Sequence, residues 1–158
     1  MKKKINEELV LYFTHLYPYK SKKKSNLNNK VTIGIGGNIG DIKKRFNKLF
    51  NSFLNDSRFS IIETSPILKN PPFGFLEQND FLNAVIVLQT NLSVYSCLKE
   101  FQRYEKRFKR ERSFQDAPRT LDIDIIFYNN LKLNTKNLTI PHKGYKVRDS
   151  VQIPLKYV

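Results

Sequence analysis

Apolar residues recur along the chain with two different periods, and the switches between them mark out its elements. Residues 31–36 alternate Val31, Ile33 and Ile35 against Thr32, Gly34 and Gly36, the period of two that predicts a strand with one apolar face. Over 41–54, Ile42, Phe46, Leu49, Phe50 and Phe53 recur at helical spacing, with Asp41 placed to cap the start. A second strand is predicted over 58–68. A third covers 81–89, with Leu82, Ala84, Ile86 and Leu88 on one face and Phe81 and Asn83 on the other. Val94, Leu98, Phe101 and Phe108 predict a second helix over 93–108, and 116–128 a last strand. Ahead of all these, Ile5, Leu9, Tyr12 and Leu16 stand at helical spacing, so 5–17 is expected to be a helix. The "KSKKKSNLNNK" run at 20–30 then serves as a solvated linker.

The order β-α-β-β-α-β suits an α+β fold of ferredoxin-like type, an antiparallel sheet with its helices packed on one face. The expected division is an N-terminal helix and basic linker at 1–30, then one domain over 31–158. In that arrangement Val31, Ile33, Ile35, Leu82, Ile86, Leu121, Ile123 and Ile125 lie under the helices. Gly34, Gly36, Phe81, Asn83, Asp122 and Asp124 collect on the opposite face. A sheet face so poor in bulk and rich in polar groups suits a ligand.

A chain of 158 residues holds one core comfortably. Its formal charge of +14 is only partly the tail's: eight Lys and two Glu in the first thirty residues leave 20 bases and 12 acids behind them. Polyanions are therefore candidate partners, whether nucleotide phosphates, nucleic acid or an anionic surface. The one cysteine, Cys97, excludes an internal disulfide and fits the reducing cytoplasm. "LVLYF" is too short for a membrane span or a signal core.

Asp122 and Asp124, at i and i+2 of a strand, leave one face about 6–7 Å apart, where two carboxylates converge on hard cations such as Mg²⁺. Two such ions can clamp a phosphoryl transfer without histidine or thiol ligands. The bland alternative is a pair of acids on a solvated face. Arg119 and the run Arg103, Lys106, Arg107, Lys109, Arg110 and Arg112 put cations nearby, as a bound polyphosphate requires. "GIGGNIGD" matches neither phosphate-loop pattern, so its glycines are taken as space for a ligand. "NPPFG" at 70–74 supplies a stiff loop. His142 and Arg148 can donate to phosphate, while His15 and Cys97 are expected to be structural. An RNA-binding sheet and a Mg²⁺-dependent nuclease or nucleotidyltransferase stay open on these features. The two acids on the open face would repel a nucleic-acid backbone.

Taken together, "GGN" at 36–38, "NPPFG", "DFLNA" at 80–84, "APRTLDIDIIF" at 117–127 and "TIPH" with Arg148 resemble the 6-hydroxymethyl-7,8-dihydropterin pyrophosphokinases of folate synthesis, from about Val31 to Leu155. A cytoplasmic monomer is expected. Its implied partners are ATP and the pterin, with neither nucleic acid nor membrane. Pyrophosphate moves from ATP to the pterin hydroxymethyl group, and AMP is released. It implies two Mg²⁺ held by Asp122 and Asp124, catalytic roles for these and for loop residues Arg110 and Arg112, and an ATP site of Gln102, Glu105, Arg119, Ile125, Thr139, His142 and Arg148. The pterin pocket it implies comprises Gly36, Asn38, Asn70, Pro71, Pro72, Phe73, Phe81 and Asn83. Gly37, Asn70 and Ser150 depart from the serine, threonine and aromatic residue usual there. No tryptophan precedes Arg119, so Phe114 is expected to serve loop closure. The N-terminal helix is expected to pack where the family's longer C-terminal tail would lie.

Overall fold

The computed structural model describes residues 1–111 and 113–158. Ten strands and three helices are present among them: β1 (Lys2–Lys4), β2 (Val10–Tyr12), β3 (Tyr19–Lys20), β4 (Asn29–Gly37), α1 (Ile42–Leu54), β5 (Phe59–Thr64), β6 (Ile67–Asn70), β7 (Phe81–Thr90), α2 (Val94–Arg107), β8 (Asp122–Tyr128), β9 (Leu133–Asn134), β10 (Thr139–Ile140) and α3 (Asp149–Leu155).

The two long helices begin where their caps stand. Asp41 accepts from the Lys44 amide and Ser93 from the Ser96 amide, each satisfying an orphan donor of a first turn. Phe46, Leu49 and Phe53 of α1 and Cys97, Phe101 and Tyr104 of α2 pack with Val31, Ile33, Ile35, Ala84, Ile86, Leu121, Ile123 and Ile125 in one core. The expected face assignment therefore holds for the side under α1 and α2.

Central β4 pairs antiparallel with β7 and with β8, and β7 pairs on its other side with both β5 and β6. The predicted strand 58–68 is thus two strands laid end to end along β7. The break falls at Ser65–Pro66, where proline has no N–H to give. Ser65 maintains contact through its own N–H to Val85 O at 2.9 Å and through Oγ, which accepts from the Val85 amide at 2.8 Å.

The predicted N-terminal helix is not formed. Residues 2–4, 10–12 and 19–20 are strands, and β2 adds antiparallel to β6, with β1 outside it. Leu9 and Leu11, two residues apart, share a face and lie against Leu68, a contact that the β6 edge makes available. Tyr17 is fully buried among Phe46 and Phe50 and donates its hydroxyl to Phe46 O at 2.8 Å. The segment is therefore part of the main core.

A second difference is α3, which the sequence pattern did not suggest. Ile153 joins Leu9, Leu11 and Leu68, and Ser150 and Val151 reach the side of the sheet that carries Asn83, Asp122 and Asp124. The face opposite α1 and α2 is thus open over only part of its width, and Val85 and Ile126 on it are buried.

Candidate active site

The uncovered part of that face is a cleft of about 80 Å³, walled by β4, β7 and β8 and by the segments that carry Phe73, Asp116, His142 and Arg148. Its floor follows from strand register. Gly36 is opposite Asn83 on β7 and opposite Asp122 on β8, and Gly34 is opposite Asp124. A Cβ at Gly36 would lie 2.4 Å from Asn83 Oδ1 and 2.6 Å from Asp122 Oδ1. The missing side chain makes room for these two neighbours to stand side by side, a more local reason than space for a ligand.

Two arginines are stacked on two aromatic rings at the rim. The Arg119 guanidinium lies 5.0 Å from the Phe81 ring centre and pairs with Asp122 at 2.9 Å. Arg148 lies 4.5 Å over Phe73, whose ring is 62% exposed. Asn83 donates to Asn70 Oδ1 at 2.6 Å, joining β7 to the start of the proline loop. Beyond Phe73 and Arg148 a groove of about 660 Å³ opens, lined by Pro71, Pro72 and Val147, with Leu9 on its far wall.

The carboxylates differ. Asp122 is held by Arg119. Asp124 is pushed up to about 7, first by the protein packed around the cleft floor and then by the charges of Asp122 and Glu105. Since 57% of its side chain is open to the cleft, water offsets part of the burial effect, and the neighbouring charges are the firmer cause. His142 Nε2 lies 3.9 Å from Asp124 Oδ2, and its Nδ1 accepts from the Gly144 amide at 3.0 Å. The free proton therefore sits on Nε2, facing the acid. Burial, then Arg148 and Lys143, lower the His142 pKa and keep the ring neutral.

Nine of the residues singled out from sequence meet in the cleft: Asn70, Phe73, Phe81, Asn83, Arg119, Asp122, Asp124, His142 and Arg148. Others stand elsewhere. Gln102 is exposed on α2, Ile125 is buried under the helices, and Thr139 lies half-buried on β10. Asn38 is 5% exposed, and its side chain is engaged with Gln78, Asn79 and the Arg119 amide. Glu105 is buried behind β8 and Arg110 is paired to it. Arg112 lies outside the described residues. His15 is exposed in a turn, and Cys97 is buried, its thiol raised to about 12 by burial and then by Glu100.

A sequence model of the family "7,8-dihydro-6-hydroxymethylpterin-pyrophosphokinase (HPPK)" matches residues 32–158. The chain belongs to this family. It is 44% identical over 142 residues to the 2-amino-4-hydroxy-6-hydroxymethyldihydropteridine pyrophosphokinase of Campylobacter jejuni, a match covering 90% of both chains. It is 41% identical over 144 residues to the enzyme of the same name from Helicobacter pylori, covering 90% of this chain and 88% of that one. The likeness extends to the Bacillus subtilis enzyme at 30% identity, over 82% of this chain and 77% of that one.

Within this member of the pyrophosphokinase family, three groups escaped the sequence reading. Gln78 donates to Phe75 O and Asp116 O while accepting from Asn38, so it ties the proline loop to the segment before Arg119. Asp116 adopts φ 58° and reaches the cleft wall. Arg45 on α1 donates to the carbonyls of Ile39 and Thr120, holding the turn after β4 against the entry to β8. The polar run Glu77, Gln78, Asn79 and Asp80 after "NPPFGFL" was the available signal for the first of these. Phe114 stands edge-on to Phe75 at 5.3 Å, which puts an aromatic contact between the same two loops.

Proposed function

We propose that this chain transfers pyrophosphate from ATP to the hydroxymethyl group of 6-hydroxymethyl-7,8-dihydropterin, releasing AMP, in tetrahydrofolate synthesis. One observation carries the reading: Asp122 and Asp124 stand on one strand face in the same cleft as Asn83, Phe81 and two arginines. Reactive acids, a ring-sized aromatic wall and phosphate-binding cations thereby share one space. The names of the relatives agree with it.

The ring is placed against Phe81, with Asn83 and Asn70 offering amide groups to its polar edge. Arg119 and Arg148, both already in the cleft, take the polyphosphate oxygens, and His142 Nε2–H donates to one of them. Arg110 and Arg112 are assigned to the phosphoryl charge that develops, and Gln102, Ile125 and Thr139 to the nucleotide side. A cleft of about 80 Å³ is far too small for both substrates, so Arg148 and Arg119 leave Phe73 and Phe81 as the ligands enter.

Two Mg²⁺ fit the oxygen donors of Asp122 and Asp124, because a divalent cation relieves the repulsion that raises Asp124. When bound, the metal neutralises charge on the transferring group and acidifies the attacking hydroxyl. In the reaction the pterin oxygen bonds to the β-phosphorus in line with the bond to the α-bridging oxygen. That bond breaks and its electrons leave on AMP. Asp124, which stands 3.9 Å from His142 on the cleft floor, is the assigned acceptor of the hydroxyl proton.

The fold is assigned to the ferredoxin-like arrangement on the pairing order β8, β4, β7, β5, with α1 and α2 on one face. The chain is assigned as a monomer of the cytoplasm, a reducing compartment that suits the buried free thiol of Cys97. No helix among the described residues is long and apolar enough to cross a membrane. The test is AMP formation from ATP and Mg²⁺ with and without the pterin. Pterin-dependent AMP release, lost in Asp122→Asn, is expected; AMP release indifferent to the pterin in folded protein rejects the reading.

A further inference from the structure

β8 closes one end of its sheet, so one row of its backbone groups faces no strand. The Ile123 amide is in that row, between the two aspartates, and donates to Glu105 Oε2 at 2.9 Å. Glu105 comes from the last turn of α2, and its side chain is 4% exposed. The same oxygen accepts from Arg110 Nη1. One buried carboxylate thus joins the strand of the two acids to an arginine of the segment that leads to Arg119.

The end of α2 sets the backbone there: Lys109, with φ 64°, gives its N–H to Lys106 O at 2.9 Å and Arg110 gives its own to Glu105 O at 3.1 Å, the two bonds of a left-handed helix cap. Arg110 Nε is buried and has no hydrogen-bond partner among the described residues, an exception for a five-donor group. A polyphosphate in the adjoining cleft offers oxygens to the whole guanidinium.

We propose that Glu105 is a positioning residue, fixing the backbone between Asp122 and Asp124 and parking Arg110 until the polyphosphate takes its guanidinium. The proposal rests on the pyrophosphokinase reading and deepens it. Glu105 does not line the cleft; it acts through Ile123 and Arg110.

The probe is α,β-methylene-ATP with Mg²⁺, whose α–β bridge cannot break, titrated by calorimetry into wild type, Glu105→Gln, Arg110→Ala and the double variant. Glu105→Gln is expected to tighten binding about threefold, and to lose that effect when Arg110 is absent. Equal effects of Glu105→Gln in both backgrounds overturn the parking. Half-saturating Mg²⁺ for binding the analogue is expected to rise about fivefold in Glu105→Ala, and to return within about twofold of wild type in Glu105→Gln, which still accepts from Ile123. Identical Mg²⁺ dependence in the two variants overturns the clamp. Wild-type AMP release, measured alongside, tests the pyrophosphokinase reading separately from the affinity cycle.

Discussion

Gly36 faces Asp122 across the β4–β8 ladder so closely that a methyl group on it would lie 2.6 Å from the Asp122 carboxylate. The same methyl would lie 2.4 Å from Asn83 Oδ1, so both side chains must turn to admit it. Gly36→Ala is therefore expected to cost about 1–3 kcal/mol of stability. Its larger effect is expected on turnover, lowering kcat/KM by about 100-fold, because a displacement of about 1 Å is enough to lose productive geometry. Urea unfolding and steady-state AMP release, measured on the same preparation, check both.

Asn38 works as a clamp. Its amide donates to Gln78 Oε1 and Asn79 O, and its carbonyl accepts from the Arg119 amide. Asn38→Ala leaves these groups without their partner in a buried setting, at an expected cost of about 1–3 kcal/mol. Hydrogen exchange should quicken at the Arg119 amide, with the α1 amides unaffected.

Asp124 makes metal-free stability fall with pH. Its folded pKa, about 7, exceeds the 3.8 of an ordinary aspartate, so between those two pH values the folded chain binds more protons than the unfolded one. Stability from this group is complete below about 4 and is lost as pH rises through about 7. Melting temperature in EDTA across that window should decline less steeply for Asp124→Asn than for wild type. Added Mg²⁺ is expected to offset the decline.

Tyr17 anchors the N-terminal segment. It is fully buried between Phe46 and Phe50. Tyr17→Ala is expected to destabilise by about 3–5 kcal/mol, and Tyr17→Phe, which loses only the bond to Phe46 O, by about 1 kcal/mol. Deleting residues 1–17 should lower the melting temperature at least as much as Tyr17→Ala. An unchanged melting curve would return the segment to the status of a tail.

What the sequence determined by itself was local and periodic. Asp41 and Ser93 cap helices whose apolar stripes are complete within fourteen residues, and alternation in β4, β7 and β8 placed Asn83, Asp122 and Asp124 on one face. Tertiary structure decided what depends on partners far along the chain. The pattern at 5–17 admits a helix, yet Val10–Tyr12 pairs with β6, whose unpaired edge lies more than fifty residues away. Glu105 carries the same chemistry in any setting. Only the packing of α2 against the outer edge of β8 turns it from a cleft residue into the acceptor of the Ile123 amide, because a buried backbone donor must find its acceptor wherever the fold supplies one.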